Sequence, residues 1–204
     1  MKKTTLHFIV FSFVFSFLFF SCVSVPQKRI EASRELKGKP VFSSDELVYC
    51  FMQKNPNADK SLVQRLAKFY IEEAGVEGIN SDVAFAQMCL ETGYLKFGNL
   101  VVPEMHNYCG LGAIDAQHPG EWFETEQIGV RAHIQHLQAY ATNENEKLNL
   151  PLVDPRYNWV HKTKFAKDIY ALAGVWAADK LYGKKIDAIL LFMEQSVASK
   201  YKNR

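Results

Sequence analysis

Hydrophobic positions along the chain fall into stripes of helical period, broken by one long stretch that has no period. The run SSDE at 43–46 has the form of a capping box, and Leu47, Tyr49, Cys50 and Phe51 after it predict a short helix that Pro56 ends. Leu62, Leu66, Phe69 and Tyr70 recur at three- and four-residue intervals and predict a longer amphipathic helix over 59–74, with Gly75 as its stop. The next run, DVAFAQMCLETGYLKFGN at 82–99, differs in kind. Between Val83 and Leu90 only Gln87 is polar, so a helix capped by Asn80 or Ser81 and left at Thr92 and Gly93 must be buried on all sides. Three further stripes predict three further helices: Val130, Ile134, Leu137 and Ala141; then Phe165, Ile169, Leu172, Ala173 and Trp176; then Ile186, Ile189, Leu190, Met193 and Val197. Between 93 and 125 the period is lost among Gly98, Pro103, Gly110, Gly112, Pro119 and Gly120, which predicts an irregular or hairpin segment. Residues 150–164, with DPRYNW, read as a connecting loop, and no internal repeat is visible.

The buried helix ends on an acid, Glu91. A carboxyl leaving a desolvated helix end resists ionisation, so its pKa rises toward the range a general acid needs near neutral pH. A lone helix-terminal glutamate is ordinarily a cap or a local ion-pair partner. The irregular stretch after the helix tips the balance, because loops carried on a rigid helical frame tend to hold binding groups, and this one is rich in Asn, Tyr, His, Trp and Glu.

Charge and cysteine content narrow the setting. Lys2 and Lys3, the apolar run 6–20 and Ser21-Cys22 have the form of an export signal, and the run falls short of the ~20 residues a membrane span needs. The residues LFFSC resemble a bacterial lipoprotein signal, cut before the cysteine, with the lipid carried on Cys22; the bulk of Phe19 and Phe20 leaves a transmembrane anchor or simple secretion open. The expected division is a signal peptide over 1–21, a lipidated tether over 22–42 and one domain over 43–204, held at the bacterial cell envelope on the periplasmic or outer-membrane side. Removal of 1–21 takes two lysines and no acid from a chain of net charge +2, and a balanced remainder argues against a nucleic-acid binder. Cys50, Cys89 and Cys109 are an odd set, so at most one disulfide can form, and buried free thiols serve equally well as small apolar residues. Neither the cysteines nor His133 and His136, three apart on a helix without HExxH or a third ligand, point to a metal, and no cofactor is implied.

Four segments in order, AQMCLETG (86–93), NYCGLGAI (107–114), GVRAHIQHLQAYA (129–141) and WAADKLYGKKI (176–186), together resemble the bacterial glucosaminidase family that cuts peptidoglycan glycan strands. The resemblance implies a mainly α, lysozyme-like α+β domain with a small irregular or hairpin segment beside the cleft. It also implies Glu91 as proton donor to the glycosidic oxygen and Tyr182 as the aromatic against the sugar at the cleavage site. Gly110 would let the backbone pass close to the substrate. Where the family commonly has an aromatic-Gly pair after the acid, and a Lys after the Asn-aromatic-Phe-Gly turn, this chain has Tyr94-Leu95 and Gly112.

Glycoside hydrolysis needs a second group, to activate water or to steady the oxocarbenium ion. Glu121, Glu124 and Glu126 are the candidates, and in an extended segment Glu121 and Glu124 would point to opposite faces. Glu121 comes first, because GEWF precedes the GVRAHIQHL helix, and Glu124 second; a solvated acidic edge is the bland alternative, and the substrate's own N-acetyl group could replace both. Asn107 and Tyr108, in the turn opposite Glu91, are expected to touch substrate, and Trp122 and Trp159 could stack on sugars or merely edge the core. The rivals to a hydrolase are a lytic transglycosylase of the same fold, a wall-binding lipoprotein without turnover, and an enzyme acting on host N-glycans.

Overall fold

The computed structural model describes residues 30–202 apart from 144. The expected signal peptide and Cys22 lie outside these residues. Among the described residues six α-helices carry the fold: α1 (Ser44–Lys54), α2 (Lys60–Glu77), α3 (Ser81–Glu91), α4 (Glu126–Ala141), α5 (Tyr157–Thr163) and α6 (Tyr182–Lys202). Among the described residues no strand forms, and β pairing is confined to isolated bridges such as Asp115 with His118. The domain is therefore mainly α, as the stripes predict, and the hairpin element of 93–125 shrinks to one tight turn.

Local chemistry sets the helix ends. Ser43 and Glu46 close the capping box of α1, and Asp59 caps α2, which runs past Gly75 to Glu77 because Gly78, at φ 71°, supplies the left-handed stop instead. Asn80 caps α3, and every residue from Ser81 to Cys89 is buried, so α3 is the central rod of the fold. It lies among α1, α2, α4 and α6, with Phe85 edge-on to both Phe51 and Tyr70.

Two expectations are corrected. The stripe 165–176 is not helical: the Asp168 carboxylate accepts the backbone N–H groups of Tyr170 and Ala171, and Gly174 at φ 85° turns the chain back so that its N–H reaches Ala177 O at 2.7 Å. Its apolar residues are nevertheless core, since Ala166, Ile169 and Leu172 are buried, while Phe165 points outward. The short helix appears instead as α5, inside the segment read as a loop.

The second correction concerns the tether. From Ile30 to Phe42 the chain is docked on the domain, with Leu36 fully buried and its N–H and C=O bonded to Lys167 O and Asn80 N. Arg34 pairs with Asp187 and Glu194 of α6, and the Asp82 carboxylate at the start of α3 accepts Val41 N–H at 2.7 Å. Regular spacing of apolar residues is missing there because an extended strap buries residues singly, as Ala32, Leu36 and Phe42, and leaves no period to read.

Candidate active site

Glu91 closes α3 and lines a cavity of about 100 Å³ with Thr92, Phe97, Asn107, Gly110 and Ala113. A second cavity, of about 240 Å³, shares Gly110 and Ala113 with the first and continues past Trp176, His136, Tyr140, Arg156 and Trp159. The two adjoin at Gly110 and Ala113, beside the end of the buried helix, and are together called the cleft.

Inside it, one carboxylate oxygen is held and the other is open. Oε1 of Glu91 accepts the Tyr182 hydroxyl and, at 3.2 Å, the Trp176 Nε1–H. Among the described residues none donates a hydrogen bond to Oε2. Among the described residues Ser81 Oγ is the single buried side-chain polar atom without a partner, so Oε2 is open to solvent in the cleft. Burial pushes the Glu91 carboxyl above its usual range, and the bonds from Tyr182 and then Trp176 pull it partway back. Burial, and then the neighbouring carboxylate, lift the Tyr182 phenol far out of its ordinary range, so it stays a neutral donor.

The floor of the cleft is the loop 107–112. Asn107 is buried and its amide is fully used: Nδ2 donates to Leu111 O and Glu121 O, and Oδ1 accepts Leu111 N–H at 2.9 Å. It thus shapes the loop while bordering the cavity. Gly110 stands at φ 67°, and a Cβ there would meet no protein atom, so the glycine serves the turn and leaves the cleft open above it. Tyr108, expected at the substrate, is a core residue at 2% exposure and borders neither cavity.

The three acids separate. Glu126 is engaged bidentately by Arg65, with contacts of 2.7 Å, and lines neither cavity. Glu124 is exposed and lines neither cavity. Glu121 packs its carboxylate over Gly112, where a Cβ would come within 3.0 Å of Oε1, so it stands at the rim beside the loop 110–113. Gly112 thereby makes room for Glu121. Trp159 borders the larger cavity and Trp122 is exposed away from both. Leu95, in the position of the family's glycine, adopts φ 60° in the turn that leaves α3, a conformation costing a non-glycine residue about 1–2 kcal/mol.

Three participants escape a reading of the sequence for function. Trp176 falls by its spacing into a core stripe, yet it donates to Glu91. Gln87 carries a legible signal, the single polar side chain of α3 between Val83 and Leu90, one turn before Glu91 and on the same face. Its Nε2 donates to Tyr182 Oη at 2.7 Å, and its Oε1 lies 3.0 Å from His133 Nε2. His133 and His136 do not share a ligand: His133 joins Gln87, whereas His136 Nδ1 lies 2.7 Å from buried Asp154. Cys50, Cys89 and Cys109 are all free and buried, so no disulfide forms among them.

Residues 67–194 match the glucosaminidase family described as mannosyl-glycoprotein endo-beta-N-acetylglucosaminidase. An uncharacterized protein of Borreliella burgdorferi is 46% identical over 157 residues, 76% of this chain and 76% of the relative. No solved structure gives a significant match. The matched span runs from within α2 to within α6 and takes in Glu91, the loop under the cleft, Trp176 and Tyr182: the chain belongs to the glucosaminidase family.

Proposed function

We propose that this protein hydrolyses the β-1,4 bond after N-acetylglucosamine in peptidoglycan, with Glu91 as the general acid. The reading is carried by one observation: a carboxyl raised in pKa by burial has one oxygen fixed by Tyr182 and Trp176 and the other open in a cleft. The proton moves from Oε2 to the glycosidic oxygen as the bond from the anomeric carbon to that oxygen breaks, and water then adds to the anomeric carbon while its released proton returns to the Glu91 carboxylate. The carboxylate left behind keeps both donated hydrogen bonds, which favour its charged form. Tyr182 is therefore read as a group that both contacts the reacting residue and steadies it.

Among the residues bordering the two cavities Glu91 is the one acid, which favours a route where the substrate supplies the second group, its N-acetyl oxygen, over a second protein carboxylate. The same observation supports a second reading, a lytic transglycosylase, which needs only one acid. Digestion of purified wall, with mass analysis of the new ends, separates the two. Reducing N-acetylglucosamine ends are expected; anhydro or reducing muramic ends would overturn the stated bond or reaction. Glu121→Gln should retain more than about a tenth of the activity if the substrate assists, and lose a factor of about 10²–10⁴ if Glu121 is the base.

The reading also places the domain at the envelope through lipid on Cys22. Fatty-acid labelling in cells should mark the wild-type chain and miss Cys22→Ser; equal labelling of both would remove the anchor.

A further inference from the structure

Behind Tyr182 lies a continuous file of buried polar groups that the proposed chemistry does not itself use. The Tyr70 hydroxyl of α2 is 2.8 Å from His133 Nδ1, His133 Nε2 of α4 is 3.0 Å from Gln87 Oε1, and Gln87 Nε2 of α3 is 2.7 Å from Tyr182 Oη, which bonds Glu91. Tyr70, Gln87 and His133 are completely buried, and each finds its hydrogen-bond partners within the core.

The direction of this file is fixed by counting hydrogens. The desolvated His133 ring is held neutral, its pKa pushed down to about 3 first by burial and then by His136, so it has one N–H and one lone pair. If its N–H faced Tyr70, the Tyr70 hydrogen would be left without a protein acceptor in a fully buried site, at a cost of about 1–3 kcal/mol. Tyr70 therefore donates to Nδ1, His133 Nε2–H donates to Gln87 Oε1, Gln87 Nε2–H donates to Tyr182 Oη, and the Tyr182 hydrogen has one place to go, Glu91 Oε1. In the reversed order Gln87 would accept the Tyr182 hydrogen, and Glu91 could bond Tyr182 only by placing its own proton on Oε1, away from the open side of the cleft.

We propose that Gln87 and His133, with Tyr70 as the end stop, are positioning residues that orient the Tyr182 hydroxyl toward Oε1 of Glu91 and so assign the transferable proton to Oε2. The proposal rests on Glu91 being the general acid. The titratable groups facing Glu91 are Tyr182 from α6 and Cys109 from the loop, and those facing His133 are Tyr70 from α2 and His136 from its own helix.

The test tracks the Glu91 carboxyl by carbon-13 NMR titration and, in parallel, kcat and KM against pH, in Gln87→Met, Tyr182→Phe, the double variant and Tyr70→Phe. Tyr70→Phe removes one oxygen, keeps the ring, and provides the result if Gln87→Met does not fold. Loss of the oriented hydroxyl removes a bond that favours the carboxylate, so in Gln87→Met the titration midpoint is expected to rise by about half a pH unit, with kcat about tenfold lower and KM nearly constant. In the Tyr182→Phe background the same change should add less than about twofold, and Tyr70→Phe should move midpoint and kcat the same way by a smaller amount. Unmoved midpoints in Gln87→Met or, where that variant does not fold, in Tyr70→Phe, or losses that multiply in the double variant, would reduce the file to core packing. A wild type that leaves glycan uncut would sink the glycosidase reading alone, since the titration reports the relay without turnover.

Discussion

At the scale of single residues the decisive contrast is between the two oxygens of Glu91, one held by Tyr182 and Trp176 and one open in the cleft. Glu91→Gln keeps the shape and both acceptor bonds and removes the proton, so activity is expected to fall by about 10²–10⁴. The same change should raise the melting temperature at pH 7.5. A carboxyl whose folded pKa is raised above its unfolded value resists ionisation in the fold, which costs stability above that pKa; the neutral amide escapes this, and its advantage should disappear as pH falls into the ordinary carboxylate range. A higher melting point for the wild type at pH 7.5 would contradict the desolvation argument. Gly112→Ala bears on the rim: at φ 75° and 3.0 Å from Glu121 Oε1, an added methyl must displace that side chain. If Glu121 takes part in turnover, this variant should track Glu121→Gln in kcat; wild-type kcat with an unchanged fold would remove Glu121.

At the scale of elements, close backbone approaches hold the cleft in register. A Cβ on Gly129 in the first turn of α4 would sit 1.8 Å from His106 O, backbone against backbone, where no side chain can give way. Gly129→Ala should therefore cost about 3 kcal/mol, read as a lower midpoint in urea, and disturb the loop 107–112 that His106 leads into. The strap 30–42 is the other element with a stake in stability. Leu36→Ala removes a fully buried side chain between α3 and the turn at 167–169, and a loss of about 2–5 kcal/mol is expected. A change under about 0.5 kcal/mol would return the segment to the status of a tether.

At the scale of the whole molecule, buried ionisable groups set opposite pH trends. His133, with its folded pKa lowered, binds fewer protons in the fold than in the unfolded chain, so its neutral burial becomes costly as pH falls through about 6.5 toward 3. Asp82 has a folded pKa raised to about 6, chiefly by burial, so its burial becomes costly as pH rises from about 4 through 6. His133→Gln should accordingly narrow its stability gap to the wild type below pH 6.5, in urea melts taken across pH, and Asp82→Asn should narrow its gap as pH rises from about 4 to 6 and hold it constant above. Parallel curves at every pH would mean that neither group titrates differently on folding.

Much of this molecule was legible as one-dimensional pattern. The run of α3, apolar but for Gln87, dictated burial, its terminal acid dictated a raised pKa, and the stripes of α1, α2, α4 and α6 stated which faces turn inward, because helical period is a local property of the chain. The segments that lack local hydrogen bonding of their own were decided elsewhere. The strap 30–42 and the turns of 165–181 take their backbone partners from each other and from the helices, and a stripe of helical spacing there packs without being a helix. Trp176, His133 and Gln87 come from three separate parts of the chain, and only packing α3 against α4, α6 and that coil brings Trp176 to the Glu91 carboxylate and links His133 and Gln87 to it through Tyr182. A sequence specifies which groups must be buried; which buried polar groups then satisfy each other is settled when the core closes and water leaves.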